Sequence, residues 1–264
     1  SGVHPLWATA VALVAGFLAG CVTGILHTKG KINPLLSGIL MMIALYSINL
    51  RIMGKANVPL LKEETFFTKL EALWEKSGIA SIISVEWAPL IVMTIITFFI
   101  KWLVDRFLNT EIGLAVRATG DNKRMIRSLS ANTDRLTIFG LGLSNGLVAL
   151  SGAFIAQFNG FSDVNMGIGM IVIGLASVII GESIFGKRTI VWTTFAVIGG
   201  AIIYRIVVAL ALRVDFLETG DMKLITAIIV IFALVMPKIM DNVKEKQRRK
   251  QRRLRYASNY GGRR

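Results

Sequence analysis

The chain has 264 residues, of which 54% are hydrophobic and only 17% charged, with a mean hydropathy of +0.63 and a formal net charge of +14. Apolar runs near the ~20 residues needed to cross hydrocarbon recur along it, which excludes an ordinary soluble domain and predicts an all-α, polytopic transmembrane bundle. A single cysteine excludes an internal disulfide, and the positive charge gathers at span ends and in the tail, so membrane topology explains it better than nucleic acid does.

The chain opens at Ser1 and enters an apolar run almost at once, with no soluble body behind it. That is not the plan of a secretory signal, and further sequence is expected before Ser1. The first predicted span is 6–26, with Gly16, Gly20 and Gly24 on one face at a spacing that lets another helix backbone approach. Cys21 within it reads as a small core residue. His27 to Lys31 reads as a short loop carrying two lysines, with His27 solvated and no ligand cluster around it. Asn33 and Pro34 are expected to cap and open the second span, 34–50. Residues 51–86 are polar, and within them Phe66, Phe67, Leu70, Leu73 and Trp74 share one helical face. The pattern predicts an amphipathic helix flat on the membrane surface, or a lid over a substrate path or a seat for an external partner.

The third predicted span, 87–107, carries Lys101 and Asp105 near its far end, where both are expected to reach the headgroups. A polar, basic island follows over 111–136. The remaining predicted spans are 137–158, 166–184, 189–212 and 222–236, and a basic tail occupies 238–264. The fourth is rich in small residues and holds Ser144 and Asn145; the sixth contains Gly199, Gly200 and Arg205. If the tail is cytoplasmic, the island, the His27 to Lys31 loop and the turn at Gly186 are cytoplasmic too, and that side holds about three quarters of all Lys and Arg, as the positive-inside rule requires.

No residue pattern supports chemistry on this chain. Gly181 to Arg188 nearly fits a phosphate-binding loop, but Arg188 stands where the magnesium-binding hydroxyl is required, and the segment leaves a membrane helix and not a strand. Only His4 and His27 are available for a triad, and there is no Cys/His cluster. No enzyme activity, metal or cofactor is expected, so the energy for any transport comes from elsewhere. The island is the candidate contact. Gly120 and Asp121 are expected to break the chain, Asp121 to cap a new short helix, and Lys123, Arg124 and Arg127 to flank a ridge of Met125, Ile126 and Leu129. That shape suits a partner's groove, and a merely solvated basic loop is the equal alternative.

The run GLAVRATGDNKRMIRSLSANTDRLTIFGLGLSNGLVALSGAFIAQ resembles the cytoplasmic loop and following helix of integral permeases of bacterial ABC importers of the branched-chain amino acid and ribose type. The family pattern falls on Ala118, Gly120, Asp121, Asn122, Lys123 to Arg127, Asn132 and Arg135, and continues through Gly174 to Gly200 with Gly181, Phe185 and Gly186 in a glycine turn. Ser130 stands where the family usually has Gly, and the family's first membrane helix or helices have no counterpart here. The resemblance implies a plasma-membrane importer subunit that contacts ATP-binding cassette subunits through Gly120, Asp121, Asn122, Lys123, Arg124, Met125, Ile126, Arg127 and Leu129. ATP and Mg are then bound on those partners, alongside a second permease copy or relative and an extracellular solute-binding protein. ILHTKGKINPLLSGILMMIALYSINLRIMGKANVPLL is similar to a subgroup associated with aromatic amino acid uptake in Gram-positive bacteria, so an amino acid is the expected solute.

For the substrate path, Ser144 and Asn145 can hydrogen-bond a passing solute and Arg205 can attract a carboxylate; helix-to-helix bonding and snorkelling are the structural alternatives. The tail carries eleven basic residues against two acids and is expected to be drawn to anionic lipid, RNA binding being the other reading. The rival to an ATP-driven importer is an ion-gradient-driven transporter or channel, which needs a deep carboxylate or broken-helix ion site; Glu182, beside a helix end, is the nearest candidate.

Overall fold

Two helices 105 residues apart in sequence form the spine of the protein. In the computed structural model, which describes residues 4–61, 63–77, 84–167, 170–186 and 189–211 together with 228, 231 and 235, α1 (Pro5–Thr28) lies antiparallel to α7 (Thr133–Asn159). The glycine face makes this possible. A Cβ built on Gly20 would lie 2.8 Å from Asn145 Cβ and nearer still to the Leu141 carbonyl oxygen, and one on Gly24 would lie 2.8 Å from Ile138 Cα. Gly142 answers from the other side, where a Cβ would be 2.7 Å from Cys21 Sγ. Close backbone approach is how helices associate where lipid supplies no hydrophobic drive. Cys21 is thus packed against α7, as a small core residue.

Asn33 caps α2 (Pro34–Met53), its Oδ1 accepting from Leu35 N–H at 2.9 Å, and Pro34 occupies the first turn. His27 is not in a loop: α1 continues through it, and its Nδ1 lies 2.9 Å from the Ile32 carbonyl oxygen. After α2 comes an element that apolar periodicity did not suggest. β1 (Asn57–Pro59) pairs antiparallel with β2 (Phe161–Asp163), which follows α7, so a short ribbon ties the two segments at one end of the bundle.

The same end carries α3 (Phe66–Lys76), whose N-terminus is closed by a reciprocal Thr65/Thr68 capping box. Phe67 is buried and meets Phe158 edge-on at 5.3 Å between ring centroids, while Phe66 meets Phe154 at 5.8 Å. The amphipathic helix therefore packs on the end of α7 through its first turn, while Leu73 on the same apolar face is exposed. Gln157 completes the junction. Its Oε1 accepts from Phe66 N–H and its Nε2 donates to Thr9 Oγ1, both at 3.0 Å, joining α3, α7 and α1. Gln157→Leu strands that N–H and is expected to cost about 2 kcal/mol, measured as earlier thermal inactivation in detergent.

A 3-10 turn (Val85–Trp87) leads into α4 (Ala88–Leu108). Lys101 and Asp105 do not reach outward as expected. They form an i, i+4 ion pair at 2.5 Å with both side chains nearly nine-tenths covered. Asp105 is the buried carboxylate among the described residues, and its cation on the next turn makes it a structural pair.

Separately, α8 (Met170–Phe185) and α9 (Ile190–Ala211) form a second unit, which begins at Gly169. A Cβ on Gly200 would lie 2.6 Å from Gly181 N and closer to the Ser177 carbonyl oxygen, so these helices too meet through glycine. Gly181 accordingly sits within α8, and it is Gly186, with φ +78°, that ends the helix. Ala176 and Tyr204 are buried at this contact. Five described helices are long and apolar enough to span a membrane: α1, α2, α4 with its preceding turn, α7 and α9; α8 is apolar but shorter. The expected last span at 222–236 and the tail at 238–264 lie outside the described residues, apart from single positions 228, 231 and 235.

Candidate functional site

The island at 111–136 is two helices and not a loop. Thr110 caps α5 (Glu111–Asp121) by accepting from Gly113 N–H at 3.2 Å. Gly113 lies against the end of α4, where a Cβ would be 2.6 Å from Leu108 Cα. Gly120 is therefore helical and in open space, and Asp121 is the last residue of α5 and not a cap. The cap is Asn122. It is extended (φ −150°, ψ 90°), and its Oδ1 accepts from Met125 N–H at 3.1 Å to open α6 (Lys123–Ser128). One residue farther along, the chain has both ended one helix and begun the next.

The ridge expected on α6 divides into inward and outward groups. Ile126 is 6% exposed and anchors the helix, whereas Met125 and Leu129 are 57% and 66% exposed. Lys123 and Arg124 are exposed beside them. Arg127 turns back toward α7: its Nε donates to Thr133 Oγ1 at 2.9 Å and its guanidinium pairs with Asp134 at 3.1 Å. Asn132 caps α7 by accepting from the N–H groups of Asp134 and Arg135. The Asn and Arg of the family pattern thus include a capping residue, and Arg127 is a positioning residue that ties α6 to α7. What is exposed on α6 is an apolar pair, Met125 and Leu129, with Lys123, Arg124 and the α7-bound Arg127 around it.

Ser130 closes α6 in the left-handed region at φ 62°, its N–H donating to the Arg127 carbonyl at 3.0 Å. Glycine adopts this conformation without a Cβ penalty, which explains why Gly suits the position and what Ser costs there. Ser130→Gly is expected to stabilise the α6 turn by about 0.5–1 kcal/mol, read as slower amide exchange over residues 123–131.

Of the proposed path residues, Asn145 faces α1. It packs against Gly20, and its Nδ2 donates to the Leu141 carbonyl at 2.9 Å, so helix packing accounts for it. Ser144, its neighbour, is exposed on another face of α7, and Arg205 is exposed on α9 next to buried Tyr204. Sequence reasoning missed Gln157 and the β ribbon. Both are contacts between segments about 90 to 150 residues apart, and the only local hint was an amide near the end of an apolar span.

The antiparallel α1/α7 pair also assigns ends. Lys29, Lys31, α5 and α6 lie where α1 ends and α7 begins; the ribbon and α3 lie at the opposite end, with Thr9 and Gln157. This is the division that the charge distribution requires.

Long apolar helices joined through glycine faces, with a capped short helix between them, are the architecture of a multi-pass membrane protein. The chain belongs to the family described as branched-chain amino acid transport system / permease component, matched over residues 1–235. It is 47% identical over 231 residues to a tyrosine transport system permease protein of Clostridioides difficile, a match covering 88% of this chain and 72% of that one. An uncharacterized protein of Rickettsia prowazekii is 32% identical over 227 residues, covering 84% and 76%. The ribose import permease protein of Escherichia coli is 26% identical over 193 residues, covering 72% and 57%. No solved structure matches.

Proposed function

We propose that this chain is the membrane subunit of an ABC importer that moves an amino acid inward across a bacterial plasma membrane. ATP, with Mg, is hydrolysed on separate ATP-binding cassette subunits, and this chain carries no cofactor. The observation that carries the reading is α6: a short helix anchored by Ile126 and Arg127 that presents Met125, Leu129, Lys123 and Arg124 to a partner. Apolar anchors inside a polar rim are the usual composition of a docking patch. Closure of the ATPase subunits pushes α6, and because α6 is tied to the first turn of α7, the push enters the helix that packs along α1. A second permease copy or relative completes the membrane part, and an extracellular binding protein delivers the solute at the ribbon end. The tail at 238–264 is drawn to anionic lipid, at roughly 1 kcal/mol per basic residue near the surface.

The relative that transports tyrosine supports an amino acid as the solute. The test is affinity purification of the tagged chain from its native membrane, an ATPase assay on what is recovered, and uptake of labelled tyrosine and ribose after reconstitution. Recovery of ATPase subunits with ATP-dependent tyrosine uptake is the expected result. A lone chain that transports under an ion gradient overturns the reading, and uptake of ribose in place of tyrosine replaces the substrate.

A further inference from the structure

The hydroxyls of the apolar helices follow a simple habit. Thr9, Thr23, Ser37, Thr94, Thr97 and Ser177 each donate to the carbonyl four residues back. That bond satisfies the donor where lipid offers no partner. Ser144 and Ser151 on α7 depart from it: both are exposed, and neither makes a hydrogen bond among the described residues. Seven residues apart, they lie on the same helical face, separated by about 10 Å along the axis.

That face borders a cleft. Between α4 and α7 lies a cavity of ≈ 240 Å³ with Met93, Ile100, Leu147 and Phe154 as apolar walls and the Thr97 and Ser151 hydroxyls among them. Phe154, which lines the cleft, also packs edge-on against Phe66 of α3, and α3 is held there by the Phe66 N–H to Gln157 bond and the Phe67–Phe158 contact. The strongly amphipathic α3 makes this junction with its first turn and also touches α4 and the 3-10 turn before it, so it bridges the two helices that wall the cleft.

We propose that this cleft receives the apolar or aromatic side chain of the transported amino acid, with Ser151 and, farther along the same face, Ser144 as hydrogen-bonding groups, and that α3 is the lid at its outer end. The proposal rests on the amino acid reading above. The volume accommodates one such side chain, the walls desolvate it, and the unpaired hydroxyls offer the polar partners a small solute requires. A lipid tail would match the walls and leave both hydroxyls unused.

The test uses the full transporter in proteoliposomes, in a Cys21→Ala background. With Ser151→Cys, saturating L-tyrosine or L-phenylalanine is expected to slow maleimide labelling by about tenfold, and labelling to lower tyrosine uptake by about tenfold. Unchanged labelling in vesicles that do take up tyrosine overturns the cleft and leaves the importer reading intact. Labelling that is slow in bilayer and fast in detergent, with or without amino acid, identifies a lipid groove and also overturns it. Vesicles whose parent transporter takes up no amino acid refute the amino acid reading, and the cleft proposal with it. For the lid, bridging Phe67→Cys to Phe158→Cys with a cleavable bifunctional reagent is expected to stop uptake and its cleavage to restore it. Uptake unaffected by the bridge overturns the lid.

Discussion

Gly20→Leu is expected to be among the most damaging single substitutions in this protein. At that position the added side chain meets the Leu141 carbonyl and Asn145 Cβ on α7, so the clash is with helix backbone and not with a side chain able to rotate away. Over-packing usually costs 1–3 kcal/mol where neighbours can shift. Here α1 and α7 must separate along their shared length, losing the contacts at Gly16, Gly24 and Gly142 and loosening the Thr9–Gln157 bond. A cost of at least about 3 kcal/mol follows, seen as loss of the monodisperse peak in gel filtration and a lowered midpoint of thermal aggregation. Gly38→Leu is the control, because nothing lies within 4 Å of that site on α2, and leucine there improves helix propensity by up to about 1 kcal/mol. Equal behaviour of the two variants would refute the packing account.

The second large effect falls on coupling. Met125→Glu together with Leu129→Glu places carboxylates at the two exposed apolar positions of α6 while leaving Ile126 and Arg127 to hold the helix. If α6 seats in a groove of the ATPase subunit, each position is an anchor, and losing about 2 kcal/mol weakens association roughly thirtyfold. The variant should insert and purify normally, recover little ATPase subunit, and show no ATP-driven uptake. Ile126→Glu must behave differently: it buries a charge under the helix, so the permease itself should lose stability. Arg127→Ala falls between the two, since it releases α6 from Thr133 and Asp134 and also removes one exposed cation. Undiminished recovery of the ATPase subunit with Met125→Glu/Leu129→Glu would remove α6 from the mechanism. Arg127 has both roles open to it, since its guanidinium binds α7 while its side chain stays 62% exposed.

The cleft and the coupling helix meet on one element. α7 begins at Thr133 under the Arg127 tie, lines the α4–α7 cleft at Leu147, Ser151 and Phe154, and ends at the Gln157 junction beneath α3. A displacement of its first turn therefore reaches both the walls of the cleft and the seat of the lid. Rigid helices with two arrangements are the physical means by which distant sites bias each other. The mutational prediction for Gln157 belongs to the same axis, because that side chain fixes where α3 rests.

What was legible in the sequence was local. The length of an apolar run decides whether a helix can span, so the positions of α1, α2, α4, α7 and α9 followed from hydropathy. Asn33 before Pro34 announced a cap, glycines at four-residue spacing announced a face for close packing, and the distribution of lysine and arginine divided the loops into two sides. The island with its short basic helix was equally readable, because its cap and apolar ridge lie within ten residues. Its details moved by one residue, from Asp121 to Asn122, since two helices meet there and a sequence does not say which polar residue ends the first.

Tertiary structure alone decided which surfaces those features meet. A glycine stripe states that some helix approaches; that it is α7 depends on packing across more than a hundred residues. Asn145 and Ser144 are adjacent in sequence and similar in chemistry, yet one faces α1 and the other does not, a difference of about 100° of helix rotation. Lys101 and Asp105 sit where snorkelling was expected, but neighbours cover them and they pair instead. Gln157, the ribbon and the outward set of α6 share the same cause. Periodicity defines a face on a helix, and only the folded chain supplies what covers it.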